Sequence, residues 1–501
     1  MMLSASRILE ATRGSIIASD LAEPMTVEQF SGDISFQGLS IDSRTIRPGE
    51  LFLALKGDRF DGHDYVKDAL RTGAGAIVSR KWISTVAPCV CGVQEKSKAF
   101  WEGAGKSIIL VDDTLTALHA IAGHIRKQFG GSVICVVGSN GKTTTKELIA
   151  SILGTNLKVL KTSGNFNNHI GMPLSITRAQ DDTAAMVLEM GANKPGDIDE
   201  LCAIGLPEIG VVTNIGQEHL EGFGSMAAVR DSELELLAYV QKLIINADDA
   251  FLMEGIENRF KGRCIRFGIR EGSAEIRAEG IEFADRATKF TLCAGSSRIA
   301  VESALPGRFN VYNSLAAAAA AYALGFELNA IKKGLESFSG LPLRLEVSVR
   351  GGVTYINDAY NANPSSMEES VREMVRYAKG DRACRRAIAV LGDMLELGPY
   401  GADAHIRLGA LLSDLHVDIL IGAGALMSLA VEAFQGTGIA VGNSRDAGRE
   451  LENIVREGDV VLVKGSRGMK MEDALAFTAR QEKDCPQEKF ETFPGAAGIQ
   501  K

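Results

Sequence analysis

One stretch constrains the chain more than any other: Val133–Thr145, which reads VICVVGSNGKTTT. Val133 to Val137 is a short, apolar, largely β-branched run, the pattern of a buried strand. Gly138, Ser139, Asn140 and Gly141 then turn the chain, and Lys142 opens a helical stretch through Glu147, Leu148 and Ile149. Strand, glycine turn, Lys-Thr and helix is the layout of a phosphate-binding loop. Gly138 and Gly141 leave room for backbone N–H groups to face phosphate oxygens, and the helix N-terminus adds partial positive charge. In that reading Lys142 reaches the β- and γ-phosphates. Thr143, followed by Thr144, offers its hydroxyl to Mg²⁺. The common rule is G-x-x-x-x-G-K-[ST]; the residue five before Gly141 is Val136, so only G-x-x-G-K-T remains. The alternative is a glycine-rich turn before an ordinary helix. Three consecutive Thr argue against it, because β-branched residues are weak helix formers.

With 501 residues the length suggests about three domains. A hydrophobic content of 46% with 23% charged residues is that of a globular protein with ample core. The net charge of -9 makes no electrostatic case for nucleic acid or an acidic membrane surface. No run approaches the ~18 apolar residues of a membrane span. The N-terminus, MMLSASRILEATRG, has no signal-peptide core. The eight cysteines are scattered, and the Cys89/Cys91 spacing is not C-x-x-C, so they read as reduced thiols of a cytoplasmic protein. A monomer is the expected assembly.

The pattern divides into three α/β units, 1–110, 111–340 and 341–501. In the first, Leu51–Leu55 and Ala76–Ser79 read as strands and Val66–Thr72 as a helix. Asp61, Gly62 and His63 by themselves read as a solvated turn. Pro88–Lys106 reads as a surface insertion, and Asp113–Phe129 as an amphipathic helix with His119 and His124 on its surface. The middle unit alternates strands (Lys158–Leu160, Ala185–Glu189, Gly210–Thr213) with helices, which implies a parallel sheet covered by helices. Ligands of such sheets sit at the carboxyl ends of strands. Lys142, Thr143, Glu189 and His219 should meet there, beside GNFNNHIGMP and MGANKPGDI. Carboxylate and imidazole at that edge suggest Mg²⁺ ligands, although His is an unusual ligand for a hard cation. Gly255–Val301 reads as a β-rich insert, and SLAAAAAAYALG as a helix stopped at Gly325. In the third unit Thr354–Ile356, Ala387–Leu391, Ile419–Ile421 and Val460–Val463 read as parallel strands of a Rossmann-like sheet. Gly422-Ala423-Gly424 lacks the third glycine of a dinucleotide site. The tail after Lys483 has no periodicity.

GSNGKTT, GNFNNHIGMPLS, LEMGANKPGDI, TNIGQEHLEGFGS, GRFNVYN, NDAYNANPSSM, LGDMLELG and KGSRGMKME, in that order, resemble the Mur ligases of bacterial cell-wall synthesis. The resemblance covers nearly the whole chain. It implies an N-terminal α/β domain for the UDP-sugar end of a substrate, a central ATP-binding sheet domain with the phosphate loop, and a Rossmann-like C-terminal domain that closes the site. It implies ATP and Mg²⁺ as cofactors, two metal ions in all, with UDP-N-acetylmuramoyl-tripeptide and D-alanyl-D-alanine as substrates. Site roles follow by similarity: Lys142 and Thr143 on phosphate and Mg²⁺, Glu189 and His219 on Mg²⁺, Asn310 and Asn313 at the nucleotide base, Arg344 and Asp358 toward ATP. Ser43, Arg44 and Asp61–His63 fall near the uridine end. Asn165 and Asn168 lie beside the substrate, and Tyr360, Asn361, Asn363, Lys464, Ser466 and Arg467 where the dipeptide amine arrives. Family members commonly carry a lysine fourteen residues after the His of HLEGF, carbamoylated to bind a second Mg²⁺. Here that position is Glu233, a ready-made carboxylate, unless it is one of several acids on a solvated helix face. Two other readings remain open: another ligase on the same framework, such as a folylpolyglutamate synthase, and a nucleotide-driven switch ATPase.

Overall fold

The computed structural model describes residues 3–17, 24–30, 32, 34–86, 106–284, 287–380 and 384–476. The Pro88–Lys106 insertion, apart from Lys106, and the tail after Lys483 lie outside the described residues. Contacts divide the chain into two compact units, Met1–Gly340 and Leu341–Lys501.

The first unit holds two main sheets. The smaller comprises β1 (Ser15–Ile17), β2 (Gly38–Ser40), β3 (Glu50–Leu53), β4 (Gly75–Ser79) and β5 (Ser107–Val111), ordered β1-β5-β4-β3-β2. Only β1 runs antiparallel to its neighbour. The expected helix Val66–Thr72 forms as read. Helix α1 (Thr114–Gln128) follows β5 and starts on the Asp113 side chain, which accepts from the Thr116 N–H at 2.7 Å.

The larger sheet contains β6 (Ser132–Val137), β7 (Val159–Lys161), β8 (Ala185–Glu189), β9 (Ile209–Val212), β10 (Lys242–Asn246), β11 (Arg263–Gly268), β12 (Ile276–Phe283), β13 (Thr288–Ala294) and β14 (Ser297–Ser303). Its order is β14-β13-β12-β11-β10-β9-β6-β8-β7. Every pair from β7 to β12 is parallel, and β13 and β14 are added antiparallel. Short β-branched runs buried along their length suit parallel strands covered on both faces. The β-rich stretch expected at the far side of this domain forms the outer edge of the sheet. Arg263–Ser303 continues the central sheet, because β11 pairs with β10 over the whole of Lys242–Asn246.

Helix α2 (Lys142–Leu153) leaves β6 through the glycine turn. Helix α3 (Met226–Glu233) follows the loop after β9. The alanine-rich α4 (Arg308–Ala323) and α5 (Leu328–Ser337) pack on α2. Small side chains make this packing close: Ala316 to Ala321 are buried with Ile149 and Ile152. A Cβ on Gly334 would lie 2.3 Å from the Ile152 backbone. These contacts hold α2 rigidly, and with it the loop at its start.

The second unit is one sheet of β15 (Glu346–Arg350), β16 (Val353–Asp358), β17 (Ala387–Gly392), β18 (Ile419–Ala423), β19 (Thr437–Val441) and β20 (Val460–Lys464), ordered β15-β16-β20-β17-β18-β19. All but β15 run parallel, in a Rossmann-like arrangement. Helix α6 (Pro364–Lys379) follows β16, with Asn363 and Ser366 forming a capping box. The edge strands β15 and β19, partly exposed, were not legible in the sequence.

Candidate active site

The register of the central sheet sets the site. Glu189 pairs with Val136, and Val212 with Val137, so the carboxyl ends of β8 and β9 flank the turn that leaves β6. Gly138 has φ +114 and Gly141 φ +81, conformations that favour glycine. A Cβ on Gly141 would also lie 2.2 Å from Asn313 Oδ1.

The turn is braced by the protein itself. Gly138 N–H donates to Glu233 Oε2 at 2.8 Å, Ser139 N–H to the Asn214 carbonyl at 2.9 Å, and Asn140 N–H to Asn214 Oδ1 at 3.1 Å. Thr213 Oγ1 and Asn214 Nδ2 donate to the Asn140 carbonyl. The Gly138 amide is thus taken by Glu233. Phosphate is left with the first turn of α2, whose amides have no intrahelical acceptor. The N-cap, Gly141, supplies no side-chain bond to that turn. A phosphate group would complete it.

Lys142 Nζ donates to the Gly138 and Ser139 carbonyls and lies 3.3 Å from Glu218 Oε2. Burial by itself would lower the Lys142 pKa, but the negative fields of Glu218, Glu233 and Glu189 outweigh it and raise it. The lysine is therefore held protonated, as a phosphate ligand must be. Burial pushes Glu218 up to about 8 against the attraction of Lys142, and raises Glu233 as well. Glu218 Oε1 is buried without a hydrogen-bond partner.

Thr143 Oγ1 donates to Glu189 Oε1 at 3.1 Å, and Asn167 Nδ2 donates to the same oxygen at 2.9 Å. Glu189 Oε2 has no hydrogen-bond partner, although Lys146 Nζ stands 3.4 Å away. A hydroxyl and a buried carboxylate with an unsaturated oxygen, beside a phosphate-facing helix start, fit one hard divalent cation that also takes phosphate and water. Among the described residues no group of three or more His, Cys, Asp or Glu could hold a metal unaided. His219 follows Glu218 directly, at φ +46, and precedes the short helix Leu220–Phe223. The structure thus gathers Lys142, Thr143, Thr144, Glu189 and Glu233, with His219 next to a partner of Lys142. Glu233 is only 1% exposed, which removes the reading as a solvated helix face.

Other predicted residues take different places. Asn310 and Asn313 are buried and bonded to each other at 3.0 Å. Asn310 also donates to the Pro306 carbonyl, and Asn313 accepts from Thr145 Oγ1. Asn313 braces the back of the glycine turn, and Asn310 holds Asn313 in place. Asn168 accepts from the Ile170 and Gly171 amides ahead of the helix Gly171–Ile176, while Asn165 is exposed. His63 is buried, with Nδ1 at 2.6 Å from Asp61 and Nε2 accepting from the Ser79 N–H. Both ring nitrogens are engaged in the fold. Gly62 fits because a Cβ there would come 2.7 Å from the Leu55 carbonyl. Arg44 is exposed and paired bidentately with Asp42, and Ser43 is half-buried.

In the second unit Asp358 and Lys464 are register partners on β16 and β20, 2.5 Å apart. Asp358 also accepts from Ser370 Oγ and the Leu345 amide, and Lys464 donates to the Asn361 carbonyl. Ser466 accepts from the Leu395 amide, Arg467 pairs with Glu472, and the Arg344 guanidinium lies 3.9 Å over the Tyr360 ring. Asn363 is spent on its capping box.

Sequence reasoning missed Glu218, Lys146 and Asn214 as site residues, and placed Asn167 at this edge without a role. Glu218 and Asn214 lie within TNIGQEHLEGF, Asn167 within GNFNNHIGMP and Lys146 one turn into α2. Their adjacency to the site motifs was the only available signal.

Comparison with known proteins identifies the family. The Mur ligase family catalytic domain is matched over residues 35–126, the Mur ligase middle domain over 136–321, and the Mur ligase glutamate ligase domain over 343–467. UDP-N-acetylmuramoyl-tripeptide--D-alanyl-D-alanine ligase of Bacillus subtilis (strain 168) is 33% identical over 447 residues, 87% of this chain and 92% of the relative. The protein of that name from Escherichia coli (strain K12) is 31% identical over 467 residues, 92% of this chain and 98% of the relative. A crystal structure of MurF from Acinetobacter baumannii superposes with a TM-score of 0.81 at 29% identity, covering 95% of this chain and 98% of that one. MurF ligase from Thermotoga maritima, in complex with ADP, gives 0.76 at 28% identity over 89% and 98%. A phosphate-binding α/β ligase framework is the class that fold and site define, and the chain belongs to the Mur ligase family.

Proposed function

We propose that the chain is an ATP-dependent, ADP-forming ligase that adds D-alanyl-D-alanine to UDP-N-acetylmuramoyl-tripeptide in peptidoglycan precursor synthesis. The observation that carries this is the junction of Lys142, Thr143 and Glu189 at the mouth of a helix N-terminus, in a chain whose relatives bear that name. Its proposed setting is cytoplasmic and its state monomeric. Among the described residues no helix is long and apolar enough to cross a membrane.

The chemistry explains the residues. A carboxylate is a poor acyl donor, so its oxygen first attacks the γ-phosphorus, and the P–O bond to ADP breaks. Both reactants are anions. Unit charges ~4 Å apart at an effective dielectric of ~20 interact by ~4 kcal/mol. Lys142 offsets that repulsion at the phosphates, and the first turn of α2 supplies N–H donors. Thr143, Glu189 and His219 would hold Mg²⁺, which supplies charge neutralisation of the phosphates when bound. Glu233 would serve toward a second ion without carbamoylation. The dipeptide amine, neutral on arrival, then attacks the acyl carbon; phosphate leaves and the amine gives up a proton. Tyr360, Asn361, Lys464, Ser466 and Arg467 are assigned to that amine step, and Arg344 and Asp358 to ATP. Ser43, Arg44 and Asp61 are assigned to the UDP end, in the proposed substrate domain 1–110.

Phosphate release with UDP-N-acetylmuramoyl-tripeptide and ATP should require D-alanyl-D-alanine and yield the pentapeptide by mass spectrometry. Equal release without any amine acceptor would favour a switch ATPase. Product with glutamate or diaminopimelate instead would identify a different ligase.

A further inference from the structure

Lys146 is fully buried, an expensive place for an ammonium unless its partners hold it for a reason. Its Nζ donates to the Thr162 carbonyl at 2.8 Å and the Gly164 carbonyl at 3.3 Å, and stands 3.2 Å from Glu147 Oε1 and 3.4 Å from Glu189 Oε2. Glu147 is itself shared with Lys161. The two oxygens of Glu189 are therefore unlike. Oε1 takes hydrogen bonds from Thr143 and Asn167, whereas Oε2 takes none and meets only the charge of Lys146.

We propose that Lys146 is a positioning residue that fixes Glu189 and offsets its charge, so that the site accepts a divalent cation together with nucleotide phosphate and not alone. The proposal rests on the nucleotide reading above. A small hard cation needs surplus negative charge around it. Glu189 has no surplus while an ammonium stands 3.4 Å from it, and Lys142, next to Thr143, adds a second cation. Glu218 and Glu233 each commit one oxygen elsewhere, to Lys142 and to the Gly138 amide, so their charge is partly offset as well. The missing charge must come from phosphate. Lys146 also ties Thr162 and Gly164 to α2, at the entrance of the loop that delivers Asn167 to Glu189. The same ammonium thus sets both the position and the charge of the carboxylate.

Mn²⁺, followed by electron paramagnetic resonance, is the probe. The parent chain should show no saturable Mn²⁺ binding at millimolar concentration without nucleotide, and clear binding with ADP. Lys146→Met, and Lys146→Gln, which keeps a donor for the Thr162 carbonyl, should bind Mn²⁺ alone at least about tenfold more tightly, the electrostatic penalty having gone. Lys146→Arg should behave like the parent. A merely structural lysine would lower stability without creating nucleotide-free Mn²⁺ binding. Neutral variants that match the parent would overturn the proposal, as would tight Mn²⁺ binding by the nucleotide-free parent. The latter measurement decides even if both neutral variants fail to fold. A parent that shows no Mn²⁺ binding even when ADP or ATP is present would instead refute the nucleotide reading.

Discussion

Glu233 shows how much a single residue's surroundings decide. The carboxylate is buried, accepts the Gly138 amide and adds to the negative field at Lys142. By resemblance its position is that of a lysine that must react with CO₂ before it carries a carboxylate. A glutamate needs no such reaction. Ligation should therefore be unchanged when bicarbonate is removed by degassing and restored. Glu233→Ala should lower turnover by about a hundredfold, while leaving the fold measurable by circular dichroism. A strong bicarbonate requirement, or full activity of the alanine variant, would end the idea.

Between elements, the second unit offers a clamp with a pH signature. His405, on the helix Gly401–Asp414, is fully buried. Its Nε2 accepts from the Met394 amide at 3.0 Å, just past β17, and its Nδ1 faces the Gly401 carbonyl at 2.7 Å. That arrangement needs the neutral ring. Burial lowers its pKa, with the Gly401 carbonyl and Asp393 opposing. A depressed value in the folded state means that the stability is present above the unfolded value of about 6.5 and is lost as pH falls through the folded one. Urea unfolding of this unit should weaken below about pH 6.5, and His405→Gln should flatten that slope. Elements also mark the reach of pattern reading. Fully buried parallel strands such as β6, β8 and β17 announce themselves as apolar runs. Edge strands β15 and β19 do not, because half of each faces water and its composition resembles a loop.

For the whole molecule, the division at Gly340 gives each unit its own sheet system and core. Calorimetry should resolve two transitions. ADP with Mg²⁺ at a hundred times its Kd should stabilise the one belonging to Met1–Gly340 by about 2.7 kcal/mol, because the phosphate loop lies there. The transition of residues 341–501, where only Arg344 and Asp358 are assigned to ATP, should rise less; a single transition raised as one would contradict this.

Local order was enough to show much of the machinery. The turn from β6 into α2, the strand ending in Glu189 and the loop carrying His219 are written in short motifs, since a glycine turn and a buried strand depend mainly on neighbours along the chain. What the turn's amides bond to was not written there. Glu233 reaches Gly138 across 95 residues, and Glu218 reaches Lys142 across 76. Those partnerships arise only when parallel strands set distant loops side by side at one sheet edge. The same holds for Lys146, an ordinary helix residue in the sequence and a buried cation in the fold. Tertiary packing decided which charges share a dry environment, and in such an environment charge governs what can bind.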